Sequence, residues 1–574
     1  MVIVSMNRKE LRRKHFIQVV VMIALVILAN IFAGVRFFRL DLSSEKRYTL
    51  NKNSRELLVN LEDVVYIKVF LDGELPSDLV RFRQSVKEML LSFRAYEGRN
   101  IEFEFVNLYA EPDAKIRNQM MQNLADRGLR ITDIRIKDAE GGYSTKIIFP
   151  GAILSYKGVE FPVNLLKNNP GLSYLVNLNN SVQSLEYEFI RAIKSLSSNK
   201  VEKIAFIEGH DELDFYQVND ISVELSLFFQ VDRGSINGNL TNLLNYKALI
   251  IAQPLKKFND QDKFVLDQYI MRGGKVLFFL DPVQTFADSL TSGRTFTSYN
   301  DVNLNDILFK YGIRIDYNLI KDIQCNYVKV ESSVNGQDPT TSFMPWWYYP
   351  LLTSSPGNNL TRGLNYVKTE FVSAIDTTLA PIAGMKRTVL LASSDTSARI
   401  DNPVYISMEE VTRAPDRSVF NKSRLPVAIL NEGIFESFYS NYSVPEGVTP
   451  GDIQILKKSE PTMIFVAGDG DMIRNDVQVT AAGNVPMILG YDNDTRQTFG
   501  NKEFIMNVIN YMTDDQGLIE LRSREFKLRL LDKSRIRTEE MKFKWKIFNT
   551  VLPVVLIVLS GLIFQYIRRK KYSR

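Results

Sequence analysis

Acidic side chains and one histidine follow the predicted buried strands in the central part of this sequence. They are Glu208, His210, Asp211, Asp281, Asp469 and Asp471. In an open α/β sheet, ligands bind beyond the carboxyl ends of the strands. The set therefore predicts a cleft for a cation, or for a cationic or polyhydroxylated ligand. The alternative is that Asp and Gly only make the turns after the strands, and turn chemistry alone accounts for them.

A second candidate is an aromatic run between Pro345 and Pro350. It consists of Trp346, Trp347, Tyr348 and Tyr349. Trp and Tyr dominate the anchors of protein interfaces, so the run predicts a sugar-stacking or partner-docking patch. Equally, the two prolines can fold these rings onto their own domain, since large rings in loops serve either purpose.

The sequence argues against catalysis and against metal or nucleotide binding. Cys325 is the only cysteine and has no elbow glycines around it, so we expect a buried, inert thiol rather than a nucleophile. Asp469 and Asp471 do not have the spacing of a Ca²⁺ loop, because Ile473 takes the next ligand position. Neither phosphate-binding glycine motif follows a predicted strand. We therefore predict no enzyme activity, no cofactor and no metal.

Strands and helices alternate in two segments, which predicts two α/β domains. Residues 40–198 read as βαβα followed by hairpins, with a first strand that ends at Asp72 and Gly73, and resemble thioredoxin without its C-x-x-C pair. Ser54 is expected to cap a helix over residues 55–60. Residues 200–517 predict a doubly wound parallel sheet, with a helix near residues 215–229 and a loop-rich insertion at about 300–425.

Charge is concentrated at the two ends of the chain. The whole sequence has 71 basic and 66 acidic residues. Without the ten basic residues and one acidic residue of segments 1–15 and 568–574, 61 basic and 65 acidic residues remain. A body that is slightly acidic lacks the basic footprint of a nucleic-acid-binding protein.

Two apolar runs predict membrane spans at residues 16–35 and 547–567. The second run has no charged residue and is long enough to cross a bilayer core of about 30 Å. No A-x-A-like cleavage site follows the first run, so we expect an uncleaved anchor, with cleavage as the alternative. The basic tails at 1–15 and 568–574 favour the cytoplasmic side for both termini. A charged amphipathic connector is predicted at 518–546, where further lysines and arginines weaken this charge asymmetry.

Three motifs resemble one known family. They read DLSSEKRYTL at residues 41–50, KIAFIEGHDE at 203–212 and LRSREFKLRLLDK at 521–533. Together with the basic tail after the second span, they are similar to the gliding motility-associated ABC transporter auxiliary protein family, GldG. The resemblance implies a periplasmic body on the inner membrane, with a multi-spanning permease and a cytoplasmic ATPase as partners. It also implies a role in gliding motility and linked protein secretion, and a glutamine-amidotransferase-like second domain without the nucleophile.

We therefore expect a non-enzymatic subunit, anchored in the membrane at both ends, that works with other chains of an ABC-type complex. A tether at each end suits a docking platform better than a diffusing solute carrier. A second hypothesis is a periplasmic receptor that binds a sugar, peptide or cation at the acidic strand ends. A third, a membrane-bound hydrolase, would have to depend on His210.

Overall fold

The computed structural model describes most of the chain. It covers residues 16–28, 49–97, 100–137, 143–167, 172–198, 201–290, 292–332, 340–355, 357–358, 360–378, 382, 384–448, 454–481, 483–515, 517, 521 and 538–572. Two units are distinguished, Met1–Arg524 and Glu525–Arg574. Each is described by itself below.

The helices and strands are numbered in chain order. The helices are α1 Phe16–Leu28, α2 Lys52–Val59, α3 Ser77–Glu97, α4 Ala114–Asp126, α5 Tyr174–Ser197, α6 Asn219–Ser226, α7 Asp260–Met271, α8 Ala287–Leu290, α9 Asn305–Lys310, α10 Asn501–Thr513 and α11 Glu539–Tyr572. The first strands are β1 Val65–Val69, β2 Ile101–Phe105, β3 Thr132–Lys137, β4 Tyr143–Ile148, β5 Gly151–Tyr156, β6 Val159–Asn164, β7 Lys203–Glu208, β8 Gln230–Ser235, β9 Ala248–Ala252, β10 Lys275–Phe279, β11 Val283–Gln284, β12 Arg294–Phe296, β13 Ser298–Tyr299 and β14 Arg314–Ile315. The remaining strands are β15 Asn318–Asp322, β16 Cys325–Ser332, β17 Thr340–Ser354, β18 Val367–Lys368, β19 Ile375–Asp376, β20 Met385–Ala392, β21 Ser397–Asp401, β22 Tyr405–Ser407, β23 Pro426–Gly433, β24 Thr462–Ala467, β25 Val477–Thr480, β26 Gly483–Pro486, β27 Tyr491–Asp492 and β28 Gln497–Thr498.

A small sheet has the strand order β2-β1-β5-β6. Strands β1 and β2 are parallel, whereas β5 is antiparallel to both β1 and β6. Val65, Ile67 and Val69 alternate with less buried residues along β1, as expected for a strand with one face in the core. Helices α3 and α5 contact each other, and Phe93 meets Phe189 edge to face. The hairpin β3-β4 pairs separately.

A large sheet has the order β16-β17-β20-β23-β24-β10-β9-β7-β8, with β18 beside β17. The five strands from β8 to β24 are parallel, and the strands beyond β24 on this path are antiparallel. The side chains of β10 alternate between two hydrophobic core clusters. Leu277 belongs to the first cluster and Phe278 to the second. Helix α10 contributes to the first cluster and α7 to the second, so the parallel part is covered on both faces. The predicted mixed α/β architecture is confirmed.

The first cluster continues from the large sheet into the small one. It contains Phe465 of β24 as well as Phe189 of α5 and Leu154 of β5. A continuous apolar core thus joins residues of the two predicted domains. The resemblances to thioredoxin and to glutamine amidotransferases stay predictions, as do the domain boundaries.

Two predicted helix starts are wrong. Asn51, not Ser54, caps α2, because the Asn51 side chain accepts from the Asn53 N–H, while the Ser54 hydroxyl donates to Glu186 at 2.7 Å. The helix expected at 215–229 is confined to Asn219–Ser226. Before it, Asp214 and Gln217 exchange side-chain to backbone hydrogen bonds and hold a turn.

The insertion at 300–425 contains more strands than expected, since the sequence predicts a loop-rich segment there. It includes α9 and the strands from β14 to β22. Pro345 and Pro350 lie inside the long strand β17, beside the irregular register between Cys325 and Tyr327 of β16. A bulge of this kind accommodates proline within a sheet.

The second unit contains one long apolar helix. Helix α11 includes Pro553, and its segment Glu540–Lys570 is long and apolar enough to cross a membrane, which fits anchoring at the predicted second span. The last residues of the predicted connector belong to this helix. Helix α1 is a shorter apolar helix, and the rest of the predicted first span lies outside the described residues.

Candidate functional site

Three neighbouring parallel strands bring the predicted acidic residues to one edge of the large sheet. Phe279, the last residue of β10, is in register with Ala252 of β9 and Ala467 of β24. The chain segments after these strands must therefore meet at the same edge. They contribute Gln253, Asp281 and the segment 468–471. We call this the closed edge.

A glutamine links two of the carboxylates at the closed edge. The Gln253 amide nitrogen donates to Asp281 at 2.6 Å and to Asp471 at 3.0 Å. The backbone N–H of Gly470 also donates to Asp281, at 2.5 Å. A side chain at position 470 would meet Gln253 at 2.5 Å, so the close approach requires glycine. Sequence reasoning missed Gln253, although it directly follows a strand.

Asp469, the third carboxyl group at the closed edge, is fully buried. Its carboxylate accepts backbone N–H groups from Glu370 at 3.1 Å and from Asp471 at 2.7 Å. Burial raises the pKa of Asp469 well above its ordinary value, and the charges of Asp471 and Asp281 raise it further. Burial also raises the pKa of Asp281. Burial therefore favours the protonated form of both carboxyl groups over the charged form.

Two basic residues balance the negative charges of Asp471 and Glu370. Arg474 pairs with Asp471 at 2.8 Å and with Glu370 at 3.7 Å, and Lys368 lies 3.2 Å from Glu370. Burial raises the pKa of Asp471 to about 7, against the lowering effect of Arg474, while Asp281 and Glu370 add to the rise. Lys368 and Glu370 come from the insertion, which the sequence analysis did not place at this edge.

The space left at the closed edge is small. A cavity of ≈ 20 Å³ lies between Lys368, Glu370, Asp471 and Arg474, together with neighbouring residues. This is room for about one water molecule. The arrangement can take up or release protons and can hold the insertion against the sheet. Between the described residues that line it, this cavity is smaller than a sugar or a peptide.

His210 belongs to a separate group. Its ring stacks on Phe258 with 3.6 Å between centroids, Nδ1 lies 3.1 Å from Glu212, and Nε2 lies 3.4 Å from Asp262. Burial lowers the pKa of His210, but the hydrogen bonds to Asp262 and Glu212 outweigh burial and raise it to about 9. The imidazolium ties the loop after β7 to the start of α7.

The remaining predicted strand-end residues form ion pairs elsewhere. Glu208 accepts from Arg233 at 2.6 Å, and Asp211 pairs with Lys256 at 2.9 Å. The loop after β7 crosses to β9, its neighbour in the sheet. There the Leu213 N–H donates to the carbonyl of Ala252 at 3.0 Å. The structure thus joins Asp281, Asp469 and Asp471 but not Glu208, His210 and Asp211.

The aromatic run lies in strand β17 and packs largely into its own domain. Trp346 and Tyr348 are buried in a cluster with Phe371, and Trp347 and Tyr349 are half-buried. Tyr349 meets Phe371 edge to face, with 5.2 Å between centroids. Docking of a partner on this run stays a prediction.

Two further candidates for chemistry are the thiol of Cys325 and groups of metal-ligating side chains. Cys325 is a buried free thiol, as expected, and burial raises its pKa to about 12. Among the described residues, no group of three or more His, Cys, Asp and Glu side chains is placed to hold a metal ion.

Comparisons with known proteins identify the family. A family profile described as an ABC-type uncharacterized transport system matches residues 202–508. A second profile, described as a domain of unknown function (DUF7088), matches residues 44–155. A protein of Borreliella burgdorferi described as uncharacterized is 20% identical over 562 residues, which cover 96% of each chain. A solved structure, the mmIFT52 N-terminal domain, is similar at 12% identity with a TM-score of 0.30, over 54% of this chain and 98% of that one. Since the first match spans more than half of its length, the chain belongs to the ABC-type uncharacterized transport system family, whose profile describes auxiliary components of ABC transporters.

Proposed function

We propose that this protein is a non-catalytic, membrane-anchored subunit of an ABC-type transporter that works in a complex with a permease and an ATPase. The family match over residues 202–508 carries this proposal. The long apolar helix α11 supports the membrane anchor.

The closed edge supports an accessory role rather than that of a solute receptor. Its carboxylates are satisfied by Gln253, by backbone N–H groups and by Arg474. The cavity beside them holds about one water molecule. A sugar or peptide would have to break this network before it could bind.

Helix α11 is longer than the bilayer core is thick. Its 34 residues make a continuous helix about 51 Å long, whereas the bilayer core is about 30 Å thick. The helix therefore extends past the core. A tilt of its membrane-spanning part, driven by a permease, would move its amino-terminal end.

The finer proposal is that the body lies in the periplasm with both termini in the cytoplasm, and that the complex serves gliding motility and linked protein secretion. The basic tails and the motifs at 41–50 and 521–533 support it. Reporter fusions after residues 45 and 535 test the orientation. We expect periplasmic activity at both positions, and cytoplasmic activity at either one contradicts it.

Purification of the tagged protein from native membranes in mild detergent tests the assembly. We expect a permease and an ATPase to be recovered with the full chain. A variant that ends at residue 537 and lacks α11 should recover less of both. Recovery of the full chain alone, even after cross-linking in intact cells, contradicts the proposal.

A further inference from the structure

A second, larger cavity lies at the carboxyl edge of the small sheet. Its volume is ≈ 330 Å³, within the range of small-molecule sites. Asp72 and Asn107 line it, and each comes shortly after one of the adjacent parallel strands β1 and β2. This is the position at which α/β sheets bind ligands. We call it the open edge.

The charged groups at the open edge have both signs. Asp72 is ion-paired with Arg83, and Glu74 lies 2.5 Å from the ammonium group of Lys146. The Glu74 side chain is 80% exposed, so this pair is a surface salt bridge, which water and salt screen. Lys146 can therefore exchange Glu74 for a carboxylate of a ligand at little cost.

Asn107 adds an oriented amide. Its Oδ1 accepts from the Tyr109 N–H at 3.0 Å and so caps the short helical turn Leu108–Ala110. With the oxygen engaged, the amide nitrogen is the donor that Asn107 offers to a ligand. A side chain on the neighbouring Gly73, at a φ of +102°, would meet this amide at 2.7 Å, so glycine keeps the approach open.

A fixed aromatic ring completes the lining. The Tyr109 hydroxyl donates to the carbonyl of Ile147 at 3.1 Å and accepts from its N–H at 3.0 Å. Lys146 and Arg117 each lie 5.4 Å from the centre of the ring. Fixed at its hydroxyl, the ring lines the cavity together with the buried side chain of Ile148.

We propose that the open edge binds a small zwitterion, an amino acid or a dipeptide. Its carboxylate would bind Lys146 and the Asn107 amide, its ammonium group would bind Asp72 or Glu74, and its apolar part would pack on Tyr109. Two carboxylates in the lining disfavour a purely anionic ligand such as phosphate. Both carboxylates of the lining are already paired with a cationic side chain, Asp72 with Arg83 and Glu74 with Lys146, and this disfavours a divalent cation.

Calorimetric titration of the purified full chain in detergent tests this site. The probes are L-alanine, L-leucine and alanyl-alanine, with acetate and ethylammonium as ligands that bear only one of the two charges. We expect saturable binding of at least one zwitterion and no measurable binding of the single ions. No binding of any zwitterion, or equal binding of acetate, overturns the proposal.

Variants locate the binding. Lys146→Met and Asn107→Asp should each weaken it at least tenfold, and Asn107→Asp keeps the oxygen that caps the turn. Lys157→Met, which removes the exposed pair with Glu62 elsewhere in the same sheet, is the matched control and should bind as the wild type does. If Lys146→Met does not fold, Asn107→Asp decides. Unchanged affinity in a folded variant contradicts the site. Because the readout is binding by the isolated chain, failure here leaves assembly with a permease untouched.

Discussion

The two sheets have contrasting carboxyl edges. At the closed edge, the insertion supplies Lys368 and Glu370, Asp469 is fully buried, and a cavity of ≈ 20 Å³ remains. At the open edge, Glu74 is exposed and a cavity of ≈ 330 Å³ remains. Both edges lie beyond the carboxyl ends of parallel strands, where α/β sheets bind ligands. Whether a segment from elsewhere in the chain covers that edge decides if a ligand has room.

The largest effect should follow from a methyl group between the insertion and the closed edge. In Gly468→Ala the new Cβ would lie 2.4 Å from the carbonyl oxygen of Ser373, whose N–H donates to Gly468 at 2.8 Å. Backbone must move, so we expect a loss of about 3 kcal/mol in the free energy of unfolding. Denaturant unfolding of the detergent-solubilised protein, followed by tryptophan fluorescence, measures it. The control Gly234→Ala meets nothing within 4 Å and should be nearly neutral, and equal losses in both variants would contradict the account.

Removal of the arginine at the closed edge should cost somewhat less. Arg474→Met leaves Asp471 and Glu370 without their guanidinium partner. We expect a loss of about 2 kcal/mol, below the usual cost of breaking a buried pair, since a third of the arginine side chain is exposed. The same unfolding assay applies. Arg424→Met removes an exposed pair with Asp395 and should change stability by less than about 0.5 kcal/mol. A greater loss in this control than in Arg474→Met would refute the assignment.

A pH dependence should distinguish the closed edge from an ordinary surface. Asp471 has a folded-state pKa of about 7, above its ordinary value of 3.8, so folding takes up a proton. Its contribution to stability is complete below about pH 4 and is lost as pH rises to about 7. We expect the difference in unfolding free energy between wild type and Asp471→Asn to fall by about 1–2 kcal/mol over this range, since neighbouring carboxyl groups share the proton. A difference between wild type and Asp471→Asn that does not change with pH would contradict this uptake of a proton on folding.

The smallest effect on stability is expected at the open edge. Lys146→Met removes the surface pair with Glu74 and the contact of the ammonium group with the Tyr109 ring, so the unfolding free energy should change by less than about 1 kcal/mol. Thermal unfolding without added ligand measures this. A loss near 2 kcal/mol would mean that Lys146 is a structural residue and that the two edges do not differ as described.

Local chemistry in the sequence predicts some of these contacts and not others. Asp281, Asp469 and Asp471 were expected to meet because strands that alternate with helices lie parallel, and their ends share an edge. His210 follows the same pattern, yet its loop turns toward α7, where Asp262 and Phe258 hold it. The direction of this loop therefore depends on contacts with side chains that are distant in sequence.

In the insertion and at the open edge, too, the sequence predicts some features and not others. Pro345 and Pro350 indicated a loop, but the alternation of buried Trp346 and Tyr348 along β17 was a strand signal available from the sequence. Asp72 was identified as a strand end. Lys146 lines the same cavity as Asp72 but comes from the hairpin β3-β4. No periodicity in the sequence indicates that this hairpin reaches the open edge.

Native mass spectrometry of the complex extracted from membranes tests the central claim most directly. The chain has a mass of 65.8 kDa. As an accessory subunit of an ABC-type transporter, it should appear in an assembly that also releases a permease and an ATPase on activation. An intact species that releases only copies of the 65.8 kDa chain, from membranes that contain those partners, would contradict the account.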